Sequence, residues 1–314
     1  MPNARSSAWL KGAGRLLLTL LVTWFILDRL GVSLRALGEV DPSFWRPSPI
    51  SLAGSVLLLL LGYLASALAW SAMLRDLGGP RLGVLTAFRL FFAANLGRYI
   101  PGKVWQLAGM ALLARGVGVA PVLATSTAIL GQAMSLLAAG VVGAAVFLQA
   151  GTEWRWLGLV AVGGGLFLLG LVSLPSVFRQ GVRVIFGRAG GEVPSGLEED
   201  HFFPLRWTTL HAGIWCIYGL AFWLLATSLG LSTPLPFMGA AFAAAYLAGY
   251  LALFAPAGLG VREGVLVALL QPVLGNGPAL GLAVLSRVWT TAVEAVPGVL
   301  AGWATLRRRD PGHD

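Results

Sequence analysis

Long apolar runs alternate along the chain with short polar joints that carry most of its charge. The runs fall at 14–30, 50–74, 120–148, 156–174, 207–229 and 279–306. At 1.5 Å per residue each is long enough, some only just, to cross a hydrocarbon core of about 30 Å. The pattern predicts six membrane-spanning α-helices. The first run follows Arg5 and Lys11 and starts at Arg15, like the opening of a signal peptide, but no small-x-small cleavage site follows it. It is read as an uncleaved first span.

Two further apolar regions, 82–116 and 237–272, are interrupted. Each reads as an apolar arm, a Pro/Gly break with charges, and a second arm. The first break is GRYIPGKVWQ, with its turn at Pro101 and Gly102; the second is APAGLGVREG, with turn residues Pro256, Gly258 and Gly260. Pro101 pushes Ile100 out of the helical region, so the helix is expected to end there. Arms of about 10–18 residues are marginal for a full crossing and suit re-entrant hairpins. The expected fold is therefore an all-α polytopic membrane protein with about six spans and two re-entrant broken-helix hairpins. Hairpins entering from opposite sides suggest an inverted pseudo-repeat. Counting every arm as a span gives up to ten helices instead.

Composition agrees with the pattern. Of 314 residues 57% are hydrophobic and 11% charged, against roughly 25% charged in a soluble domain. The chain reads as one integral membrane domain: a first half 1–175, a cytoplasmic loop 176–206, a second half 207–306 and a tail 307–314. The 42 glycines include many inside apolar runs (Gly131, Gly140, Gly143, Gly163, Gly164, Gly165, Gly170), where small residues let membrane helices approach closely. A lone cysteine, Cys216, excludes an intrachain disulfide, and His201, His211 and His313 lack ligand spacing, so neither metal nor cofactor is expected.

The net charge of +9 raises the question of nucleic acid, and its placement answers it. With both termini cytoplasmic, 16 of the 22 Lys and Arg fall on the inner side and four (Arg29, Arg35, Arg46, Arg155) outside. That is the positive-inside bias of a cytoplasmic-membrane protein, and no nucleic-acid partner is implied. Arg262 and Arg287 remain at membrane depth.

An ionised side chain at the centre of a membrane helix costs about 2.5–3.5 kcal/mol on insertion scales, so such residues pair, face water or work. Arg262 and Glu263 follow the second break, at the positive end of a new helix, which favours an anion. Arg287, Thr291 and Glu294, spaced four and three apart, share one helix face. Arg98 and Lys103 bracket the first break, with Gln106 one turn beyond Lys103, and a Gly-Lys pair beside a broken helix resembles an anion nest. These eight residues are the candidate substrate-binding set. Gln132 with Ser135, and Tyr246 with Tyr250, read as interhelical hydrogen-bond pairs, and His211 as a satisfied core histidine. No nucleophile, base and orienting group stand together.

LGRYIPGKVWQLAGMALLARGVGV, PAGLGVREGVLVALL and the later SRVWTTAVE resemble the lysylphosphatidylglycerol synthase transmembrane-region family, the flippase-like domain. Its pattern pairs a basic Pro-Gly turn with a later Pro-x-Gly-x-Gly-x-x-Glu turn and an arginine in the last span. Here these are Pro101-Gly102-Lys103, then Pro256, Gly258, Gly260 and Glu263, then Arg287. Ala257 stands where members commonly have a further glycine. The resemblance implies a multi-span inner-membrane domain that, in fused members, moves aminoacylated phosphatidylglycerol between leaflets. Those members also carry a soluble aminoacyl-transferase domain; this chain ends soon after its last apolar run, so lipid synthesis by it alone is not expected. The expected function is translocation of an anionic or aminoacylated phospholipid, or another lipid-linked phosphate, between inner-membrane leaflets. Arg98, Lys103, Arg262 and Arg287 would be stations for the phosphate, and Glu263 and Glu294 would balance them. The expected partners are membrane phospholipid and a lipid-modifying synthase or glycosyltransferase. The alternative is a membrane enzyme, or a helper subunit for one, acting on a lipid-linked phosphate or sugar.

Overall fold

The computed structural model describes residues 38, 40–99, 104–149, 152–194, 197, 200–252 and 255–307. Among these the elements are helical. They are α1 (Pro49–Asp76), α2 (Val84–Asn95), α3 (Val104–Arg115), α4 (Pro121–Ala144, carried on by a short turn Val146–Gln149), α5 (Thr152–Val172), α6 (Pro175–Ala189), α7 (Phe203–Ser228), α8 (Leu235–Leu251), α9 (Val261–Leu274) and α10 (Asn276–Arg307). Proline sits in the first turn of α1, α4, α6, α7 and α8, where its missing N–H has no intrahelical partner to lose.

Five helices are long and apolar enough to cross a membrane: Pro49–Asp76, Pro121–Gln149, Arg155–Val172, Phe203–Ser228 and Asn276–Val299. They match five of the six expected spans, and the first run, 14–30, lies outside the described residues. Both interrupted regions are broken helix pairs, α2/α3 and α8/α9. The 12 residues of α2 and of α3 extend only about 18 Å each, well short of a bilayer core.

The segment read as a cytoplasmic loop, 176–206, instead holds a helix. In α6, Phe178, Val182 and Phe186 are buried. Their spacing of four puts them on one face, packed with Phe203 and Trp207 of α7. Arg179 and Arg183 are exposed. Gly190, in the left-handed conformation, caps the end.

Two sets of elements follow the same order: a long helix, a broken pair, a long helix. They are α1, α2/α3, α4 and α7, α8/α9, α10. The leading helices α1 and α7 pack on each other. Ser48 N–H donates to the Ser228 carbonyl at 2.7 Å at one end, Gly62 lies under the Tyr218 ring in the middle, and Arg206 pairs with Asp76 at 2.9 Å at the other end. Rising numbers in α1 meet falling numbers in α7, so the pair is antiparallel and the halves are inverted. The remaining contacts are exchanged: α2 packs on α10, α8 packs on α4, and the break at Leu96–Tyr99 touches the break at Pro256–Gly258.

Glycines set the closest approaches at these crossings. A Cβ on Gly143 of α4 would come within 2.7 Å of the Ala244 backbone, and one on Gly219 of α7 within 2.7 Å of Gly239 Cα. Gly163, Gly164 and Gly170 of α5 meet nothing within 4 Å, so close packing explains only part of the glycine-rich pattern. Replacing Gly219 or Gly143 by leucine should therefore destabilise the purified protein by about 1–3 kcal/mol, as an overpacked core does, and lower its thermal midpoint. Gly164→Leu should leave it unchanged within error.

Candidate functional site

A cavity of about 180 Å³ lies where the two breaks meet. Its wall takes Arg98 from the first break, Gln106 from α3, Gln132 from α4, Ala257 and Gly258 from the second break, Arg262 from α9, and Arg287, Thr290 and Glu294 from α10. Aromatic residues complete it: Tyr63 meets Tyr218 edge to face at 5.6 Å, and Trp215 meets Tyr246 at 4.9 Å.

The second break is shaped by backbone conformation. Ala257, Gly258 and Gly260 have φ of 49°, 70° and 79°. At Gly258 glycine is required twice, because a Cβ there would also lie 2.7 Å from the Gly249 carbonyl oxygen. The turn is intact with alanine at 257, but in the left-handed region that costs a Cβ-bearing residue about 1 kcal/mol.

A break inside a membrane frees backbone groups that lipid cannot satisfy. Here charged side chains satisfy them. The Gly260 N–H donates to Glu263 Oε2 at 2.7 Å, so the carboxylate in the first turn of α9 reaches back to close its start. Arg287 Nη1 donates to the Ala257 carbonyl at 3.0 Å. The two side chains face each other, Arg287 Nη1 lying 3.7 Å from Glu263 Oε1. A second ion pair crosses between the halves: Arg98 of the first break binds Glu294 of α10, which is 1% exposed.

Arg262 is different. It is 7% exposed, its guanidinium carbon lies 4.8 Å above the centre of the Phe242 ring, and Nε and Nη2 have no hydrogen-bond partner. It does not snorkel to the surface; it is a buried cation on the wall of a cavity.

The structure thus brings Arg98, Gln106, Arg262, Arg287 and Glu294 of the candidate set to the wall, with Glu263 behind Arg287. Thr291 does not line the cavity; Thr290 does, its hydroxyl turned to the Ser286 carbonyl at 2.8 Å. Steps of three and four from Arg287 are equally helical, and the sequence cannot choose between them. Lys103, Pro101 and Gly102 lie outside the described residues.

Gln132, Ser135, Tyr246 and Tyr250, read as helix-to-helix ties, also line the cavity, and Gln132 Nε2 has no partner. Asn95, unremarked in the sequence, is 2% exposed and accepts from Gln106 Nε2 at 2.7 Å. An amide three residues before Arg98 in an apolar helix was the available signal. His211 Nδ1 is 2.7 Å from the carbonyl of Trp207 on its own helix, the satisfied histidine expected. No group of three His, Cys, Asp or Glu able to hold a metal occurs among the described residues.

Counted from the first residue of each helix, Gln106 in α3 and Glu263 in α9 are both third, and Gln132 in α4 and Arg287 in α10 are both twelfth. The pair that is charged in the second half is a pair of amides in the first.

Two outcomes are expected in thermal or denaturant unfolding of the detergent-solubilised protein. Ala257→Gly should stabilise by up to about 1 kcal/mol by removing the left-handed strain. Arg98→Ala should destabilise by about 3 kcal/mol, since it removes an ion-pair partner of the buried Glu294 carboxylate, and Arg98→Ala with Glu294→Gln should recover part of the loss.

Comparison with known proteins agrees with this architecture. No curated protein matches the chain. The lysylphosphatidylglycerol synthase TM region family matches residues 12–298, which takes in both breaks, both ion pairs and all the cavity-lining residues described above. The chain belongs to the lysylphosphatidylglycerol synthase transmembrane-region family.

Proposed function

We propose that the chain is a lipid translocase of the cytoplasmic membrane, with both termini on the cytoplasmic side. It carries the headgroup of a lipid-linked phosphate through the cavity between its inverted halves. Arg262 carries this reading. A buried guanidinium whose Nε and Nη2 have no hydrogen-bond partner is costly in a membrane, and an anion in the adjoining cavity would offset that cost. Arg98 and Arg287 are already held by Glu294 and Glu263. They frame the site and set its field, and Arg262 makes the direct contact with phosphate.

The inverted halves supply the movement. Two repeats that exchange arms and touch at their breaks can rock about the cavity and open it to one leaflet and then the other. The hairpins act as re-entrant elements, and Arg98, Ala257 and Gly258 bring the two breaks to the cavity wall. The sequence holds no ATP-binding motif, and translocation is passive or ion-coupled. A synthase or glycosyltransferase that makes the lipid is the fitting partner. The one carboxylate on the cavity wall among the described residues, Glu294, is tied to Arg98, so no acid–base pair favours the enzyme reading.

The test is lipid flipping in proteoliposomes with a phosphatidylglycerol analogue bearing a quenchable fluorophore. Wild type should flip it, and Arg262→Gln and Glu263→Gln should fall to the rate of empty liposomes. Wild type no faster than empty liposomes, or Arg262→Gln as fast as wild type, would contradict the proposal.

A further inference from the structure

The two halves of the cavity differ in chemistry, and the difference carries information about the headgroup. On one side stand Glu263 and Arg287, with Arg262 beside them; at the positions matching that pair on the other stand Gln106 and Gln132, with Asn95 beside them and Arg98 paired across to Glu294. The second half holds Arg262, whose Nε and Nη2 have no hydrogen-bond partner, and the first half holds Gln132 Nε2, likewise without one. The wall carries three arginines and one glutamate; with Glu263 added, the described residues leave one net positive charge. Both carboxylates are neutralised by arginines, so neither is left to receive a cationic headgroup.

From this asymmetry, and resting on the translocase reading for its lipid context, we infer that the cavity takes a phosphodiester with a single negative charge whose outer ester is an uncharged, hydroxyl-bearing group. The phosphate sits against Arg262, where a guanidinium offers paired N–H donors to two oxygens. The hydroxyls sit against the amides of Gln132, Gln106 and Asn95, which both donate and accept and so match a polyol or sugar. An aminoacylated headgroup, which adds one or more ammonium charges, meets an excess of positive charge and is disfavoured. A lipid of this kind and its water-soluble deacylated headgroup share the chemistry.

The test is binding to the purified protein in neutral detergent, read by intrinsic tryptophan fluorescence, since Trp70 and Trp215 line the cavity. Four probes are titrated: phosphatidylglycerol, phosphatidylpropanol (same charge, no hydroxyl), lysylphosphatidylglycerol, and glycerophosphoglycerol. Phosphatidylglycerol should bind about tenfold tighter than phosphatidylpropanol, the worth of one net hydrogen bond, and tighter still than lysylphosphatidylglycerol. Gln132→Leu should bring phosphatidylglycerol down to the level of phosphatidylpropanol and leave the latter unchanged. Arg262→Gln should weaken both alike, and Arg262→Lys should restore part of the loss if the glutamine variant folds poorly. Glycerophosphoglycerol binding as tightly as the lipid would support the headgroup and assign a soluble source. Equal affinity for phosphatidylglycerol and phosphatidylpropanol, lysylphosphatidylglycerol as the tightest ligand, or no binding of any probe would overturn the inference. Binding with this selectivity but without flipping would overturn the translocase reading alone.

Discussion

A helix that breaks inside a membrane leaves backbone groups that only the protein can satisfy, and much of this site follows from that constraint. At the second break the freed Gly260 N–H is taken by Glu263 and the Ala257 carbonyl by Arg287. The carboxylate and the guanidinium then face each other. Two charges that would each be costly alone in lipid become a clamp that holds a left-handed turn. The break cannot close into a continuous helix while that clamp is intact, and an open break is what leaves space for a cavity.

The clamp also explains why one arginine stands apart. Arg287 is used in holding the turn, and Arg98 in tying the first break to Glu294 on the opposite half. Arg262 sits one residue before Glu263 and lies over the Phe242 ring on the cavity wall. Consecutive residues on a helix project about 100° apart, so a single step separates a structural charge from one available to a ligand. In the inverted repeat the positions matching Glu263 and Arg287 carry amides, Gln106 and Gln132, in place of that charged pair. A duplicated scaffold with unlike halves suits a headgroup that is itself of two parts.

The spans and breaks were readable in the sequence because each has a one-dimensional signature. An apolar run must match the bilayer thickness, and a Pro/Gly cluster next to charges marks each break. The short basic helix α6 was missed for the opposite reason: its face of Phe178, Val182 and Phe186 is three residues long and lies among glycines and arginines. The charged residues at depth were legible from insertion cost alone. Their partners were not, since Arg98 and Glu294 lie on opposite halves and meet only through the exchange of arms. The amide of Gln132 looked like a helix-to-helix tie because cavity and interface demand the same residue type. The substitution at Ala257 reads as harmless in sequence, and only its φ of 49° reveals strain.

A translocase must offer one site to both leaflets in turn. The most direct measurement is the reactivity of a cysteine placed at Ser135, on the cavity wall, on a Cys216→Ser background, toward a membrane-impermeant thiol reagent added to either side of sealed vesicles. The account predicts reaction from both sides and its suppression by glycerophosphoglycerol on the side of addition. A cysteine that reacts from one side only, or from neither, would contradict it.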